Sequence, residues 1–188
     1  MCLDLISKRA LNTQGANPST KCVVDLCRVT PPNPNVHEVS DGDILSIGNC
    51  QLEVSEVWRY QPLLTCLGYR LTTPEATIVF GGDSAPVPAL NNLARDADVL
   101  VHMCHFINGV VTDERVTSCG SGHIDAARTA QDSGAQTLVL VHLTEQMEGP
   151  GVTERILHEV AEVYDGQVIL GHDLLEVPIG KIHTDAIR

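Results

Sequence analysis

The sequence predicts a layered α/β domain, and two patterns carry that prediction. Between Cys50 and Phe80, apolar and polar residues alternate with no helical stretch between the runs, as in an antiparallel meander. From Ala76 onward, apolar runs and amphipathic stretches take turns as strand, helix, strand, helix, strand, helix, strand, which layers helices on a sheet. A chain of 188 residues suits one domain and is ample for a core. With no internal repeat and no dividing linker, the expectation is a single domain over 1–188, irregular over 1–48 and with its core at 50–179.

Each element follows from its own residues. "TPPNPNVHEVSDGD" is rich in Pro, Asn and Asp, the chemistry of loops. "CQLEVSEVW" alternates as a half-buried strand does, and "LGYRLTT" and "ATIVF" read as the next pair. "PVPALNNLARDA" sets Val87, Leu90, Leu93 and Ala94 on one helical face, with Pro near the start, where its missing N–H costs nothing. "DVLVHMCHF" is a continuous apolar strand. "HIDAARTAQDSGA" reads as a helix with Ile124, Ala127 and Ala130 along a stripe, stopped by Gly134. "QTLVLVHL" is another buried strand. "VTERILHEVAEVYDG" is an amphipathic helix ending at Gly166, and "QVILGHDLLEVPI" supplies one or two closing strands.

Composition narrows the function classes. No apolar run is long enough for a bilayer, and the N-terminus has no basic segment followed by a long apolar core, so the cytoplasm is the expected location. The net charge is −12, and Lys8, Arg9, Lys21, Arg28, Arg59, Arg70 and Arg95 are scattered. A surface so acidic repels phosphate backbones unless a local basic patch overrides it. A small-molecule partner is therefore expected rather than nucleic acid. The seven cysteines include no C-x-x-C pair, which points to free, mostly buried thiols.

In α/β folds, ligands gather where strands give way to loops at one sheet edge. "TIVFGGD" ends at Asp83, "DVLVHMCH" at His102 and His105, and "TLVLVH" at His142, while His123 follows the glycines of "SCGSGHIDAA". Taken singly, Asp83 could cap the next helix and each histidine could be an ordinary hydrogen-bonded residue. Their joint placement at one edge argues for a shared site. His37, His158 and His183 have no such setting and read as structural.

The ordered motifs "FGGDSAPVPALNNLARDADVLVHMCHF" and "GSGHIDAARTAQDSGAQTLVLVHL" resemble the C-terminal half of the metallo-β-lactamase superfamily, in its ribonuclease Z and arylsulfatase-like branch. The resemblance runs from about Leu52 to Ile179 and implies an αββα sandwich. It implies a metal-dependent hydrolase in which hydroxide on one or two zinc ions attacks a small ester, lactone, sulfate ester or phosphate ester. By the family pattern Asp83 bridges the metals and His142 is a terminal ligand. His123 contacts the scissile group or donates a proton, and His102 supports the site from behind.

Three departures qualify that implication. The H-x-H-x-D-H ligand motif of the fold's N-terminal half occurs nowhere in this sequence, so the domain is expected to be partial, a truncated or diverged copy. A family histidine is replaced by Arg59, with Trp58 or Tyr60 as alternatives for the position. Arginine has no lone pair to give a metal. The acid that would serve His123 is replaced by Met103. Matched positions then supply two ligands where a catalytic zinc takes three, unless His102, His105, His123 or Cys104 completes an altered site. The other reading is a non-catalytic binding or assembly module in which Arg59 pairs with Asp83 or holds an anion. The apolar face left by the missing sheet implies a homo-oligomer or a separate N-terminal half. A nucleophilic Cys104 is disfavoured, because no base stands close beside it.

Overall fold

The computed structural model describes residues 36–179, and those from Glu38 onward belong to one compact unit. The readings made for residues 1–35, including Cys22 and Cys27, and for His183 fall outside the described residues. Seven strands form one mixed sheet in sequence order: β1 (Ile44–Ile47), β2 (Cys50–Val57), β3 (Cys66–Thr72), β4 (Thr77–Phe80), β5 (Val99–Met103), β6 (Thr137–Val141) and β7 (Gln167–Leu170). β1 to β4 pair antiparallel, and β4 to β7 pair parallel. The change of direction at β4 coincides with the change of sequence period.

Helix α1 (Pro88–Leu93) joins β4 to β5, α2 (Glu114–Thr117) and α3 (His123–Ser133) lie between β5 and β6, and α4 (Val152–Ala161) joins β6 to β7. Right-handed crossovers in a sheet of this order place the connecting helices on one face. There Leu90, Ala126, Ala127, Ala130, Ile156 and Val160 pack on Val79, Leu100, Leu138 and Leu140, all essentially inaccessible to water. Each such aliphatic side chain of Leu or Ile size contributes about 2 kcal/mol relative to exposure. The described residues thus form one β layer and one α layer of the expected four-layer sandwich. None of their helices is long and apolar enough to cross a membrane.

Three details differ from the sequence reading. Ile44–Ile47 forms an edge strand inside a segment expected to be irregular, because its register with β2 satisfies the backbone of "ILSI". The stripe of α3 is rotated: Ala126 and Ser133 join Ala127 and Ala130 in the core, and Ile124 is half-buried. α4 ends at Ala161 rather than Gly166, since Tyr164 turns inward to donate to the Ala135 carbonyl at 2.8 Å. Of the one or two closing strands expected, one, β7, follows it.

Candidate functional site

The segments that follow β2, β4, β5 and β6 bring four polar side chains together, Arg59, Asp83, His105 and His142. Beyond β4 the chain turns through Gly82, whose φ of 61° lies in the left-handed region open to glycine at little cost. Asp83 stands on this turn, 46% exposed. It does not cap α1, whose N-cap is Val87 with no side-chain bond, so the capping explanation for this carboxylate falls away. At the end of β6, His142 adopts φ 61° although it is not glycine. Uncommon backbone of that kind persists where surrounding structure enforces it, and it concentrates at functional sites.

Asp83 Oδ2 lies 3.1 Å from Arg59 Nη1 and 3.6 Å from His142 Nε2. The other nitrogen of His142 is 3.2 Å from His105 Nδ1, so one ring donates and the other accepts. The two imidazoles meet edge to face with centroids 4.7 Å apart. Burial, then the neighbouring His142 and Arg59, hold His105 below the usual imidazole range, while Asp83 opposes them. Arg59 is itself well seated. Its side chain is 17% exposed, Nη1 lies 3.6 Å from Met103 Sδ, and the guanidinium carbon is 5.5 Å from the Tyr60 ring centroid. The residue standing in place of the expected acid, Met103, therefore packs against the cation.

The remaining candidates lie elsewhere. His102 is fully buried, with Nδ1 2.9 Å from the Met103 carbonyl and Nε2 without a partner; burial lowers its pKa. It makes no hydrogen bond to the cluster, contrary to the supporting role expected. His123 is also fully buried. The Asn108 N–H donates to its Nδ1 at 3.2 Å, so Nε2 carries the proton and donates to Glu159 at 2.6 Å. Both nitrogens are engaged in the scaffold, which leaves neither to meet a scissile group as the family pattern implied. Glu159 supplies the acid partner that the sequence reading, with Met103 in its place, expected to be absent. The cue was an acid next to Val160 on an amphipathic stretch, but nothing in the sequence ties it to position 123. Cys104 is buried, and desolvation pushes its thiol up to about 12, which rules it out as a nucleophile at neutral pH. Cys50, Cys66, Cys104 and Cys119 are free thiols.

The residues present do not fit a metal. Asp83 and His142 offer two donors, the guanidinium already occupies Asp83 Oδ2, and His105 faces the far nitrogen of His142. Among the described residues no three His, Cys, Asp or Glu side chains converge as a ligand set. The zinc expected from the resemblance is not supported by this donor geometry.

No family model matches the chain. It is 31% identical over 156 residues to a putative ribonuclease Z of Mycobacterium tuberculosis strain CDC 1551, covering 80% of this chain and 68% of that protein. Ribonuclease Z of M. tuberculosis strain H37Rv matches with the same identity, with 56% of its length covered. The chain therefore spans about half to two thirds of the length of these relatives. Among solved structures, the metallo-β-lactamase fold protein YhfI from Bacillus subtilis superposes with TM-score 0.59 and 26% identity, covering 71% of this chain and 51% of its own. The short form of human tRNase Z shares the fold, with TM-score 0.53 and 16% identity, over 73% of this chain and 46% of its own. Relatives named for acting on RNA overturn the expectation of a small-molecule partner with nucleic acid unlikely. Whole-chain charge is a poor guide to a partner, since recognition depends on the local field. On this sequence likeness and this shared fold, the chain belongs to the metallo-β-lactamase superfamily, as a partial relative of ribonuclease Z.

Proposed function

We propose that this chain binds RNA through a backbone phosphate and that Arg59, rather than a metal ion, provides the positive charge at the site. The observation that carries the reading is the 3.1 Å Arg59–Asp83 pair at the place where a metal would need that carboxylate. A guanidinium presents several N–H donors in a rigid fork, so one face can hold Asp83 while another remains for a phosphate oxygen. His142 stands on the other side of Asp83 as a further hydrogen-bonding group. Asp83 then acts as the positioning residue that fixes the fork. The names of the matched relatives support RNA as the ligand class.

A second reading is metal-dependent RNA hydrolysis, in which Asp83 and His142 would supply two of the ligands. The 3.6 Å approach of these two side chains favours it. The two readings separate in a binding and cleavage assay with a labelled transfer RNA, run with and without EDTA. Phosphate recognition by Arg59 gives binding that the chelator leaves unchanged and no cleavage. Cleavage that EDTA abolishes would overturn that reading and establish the second.

A further inference from the structure

One cation cannot by itself hold RNA on a chain of net charge −12. Each phosphate neutralised on a single strand contributes a log–log salt slope of only about −0.7, so further, non-ionic contacts are needed. The segment Trp58–Leu64 offers them. Trp58 is 47% exposed and Tyr60 45%, on either side of Arg59 in the chain, and Leu63 and Leu64 are exposed next to them. The loop that carries these apolar groups is held in place. The Trp58 carbonyl accepts from the Ala85 N–H at 2.7 Å, tying the loop to the turn that bears Asp83. Gln61 braces it from within, accepting from the Arg59 N–H at 2.8 Å and donating to the Val57 carbonyl at 2.6 Å. The Tyr60 carbonyl accepts from the Leu63 N–H at 2.8 Å.

From this juxtaposition we infer that Trp58 and Tyr60 form a stacking platform for an unpaired nucleobase whose phosphate lies at Arg59. Two exposed aromatic residues on either side of Arg59 in the chain, one with its ring centroid 5.5 Å from the guanidinium carbon, match what single-stranded nucleic acid presents, alternating flat bases and anionic phosphates. Stacking tolerates any base, so the platform selects unpaired strands over duplex rather than reading sequence. The inference rests on the RNA reading above and adds to it the single-stranded state of the ligand and the residues that grip it.

Trp58 is the only tryptophan in the chain, so its emission reports the platform directly. The experiment titrates an oligoadenylate RNA pentamer and an abasic strand of equal phosphate number into the protein. Trp58 emission is followed alongside the anisotropy of labelled RNA, for wild type, Trp58→Phe, Trp58→Ala and Tyr60→Ala. Expected are saturable quenching by the pentamer, retained binding in Trp58→Phe and about tenfold weaker binding in each alanine variant. The abasic strand should bind about as weakly as those variants do. Circular dichroism confirms that the variants are folded. Wild-type binding without a change in emission, matched by Trp58→Ala, would overturn the platform and leave the phosphate reading intact. No binding by wild type would overturn both. A change of oligomeric state in Trp58→Ala with RNA affinity unchanged would assign the patch to protein contacts and overturn the platform.

Discussion

Replacing Arg59 with alanine is expected to weaken RNA binding by roughly ten- to a hundredfold, the scale of one lost charge-assisted contact of about 1.5 to 3 kcal/mol. Two effects add. The phosphate loses its cation, and Asp83, 3.1 Å from that cation in the wild type, is left as an uncompensated negative charge beside the ligand. Arg59→Lys should recover only part of the affinity, because an ammonium cannot hold Asp83 and a phosphate with the same planar fork. Asp83→Asn separates the two effects: it removes the negative charge and keeps a side-chain oxygen that can accept from the guanidinium. Affinity measured by anisotropy at fixed salt checks all three. Equal binding by Arg59→Ala and wild type would exclude Arg59 from the site.

His123→Ala is expected to cost about 2 to 4 kcal/mol of folding stability, since it empties a fully buried site and removes two hydrogen bonds at once. The damage spreads because His123 opens α3 and is bonded to Asn108, which in turn accepts from the Ile124 N–H at 2.9 Å and donates to Asp125 at 2.8 Å. Asp125 also accepts from the Gly122 N–H at 3.0 Å, completing the cap of the helix. The His123 bond holds Glu159 below its ordinary carboxylate value of 4.5. A carboxyl depressed in the folded state adds stability that is complete above its unfolded value and is lost as pH falls through its folded value. Wild type should therefore weaken in acid below about pH 4.5 more steeply than Glu159→Gln does. Denaturant midpoints over a pH series check both statements. Unchanged stability in His123→Ala would show that the ring is not part of the scaffold.

Much of the fold was legible because its signals are local. The apolar runs at Val99–Met103 and Thr137–Val141 could be little else but buried strands, and Gly134, with φ 71°, stops its helix where expected. β1 escaped notice because a four-residue, mostly exposed edge strand buries too little to impose a period. Asp83 and His142 were legible as candidates because each ends an apolar strand at a turn. That His105 pairs with His142 was not, because it depends on how the chain leaves β5 after Met103. The Arg59–Asp83 contact was foreseeable as charge complementarity, with 23 residues between the partners. Glu159 could not be linked to His123 across 36 residues, since its helix reads as merely amphipathic until α3 and α4 are packed together.

The central claim, that a guanidinium holds the place of a metal ion on Asp83, is tested most directly by elemental analysis of the purified chain after growth in zinc-supplemented medium. An arginine-held carboxylate predicts a content far below about one ion per chain and an unfolding midpoint that added zinc does not move. A content of about one ion or more, stripped by chelator with a matching fall in the midpoint, would contradict it.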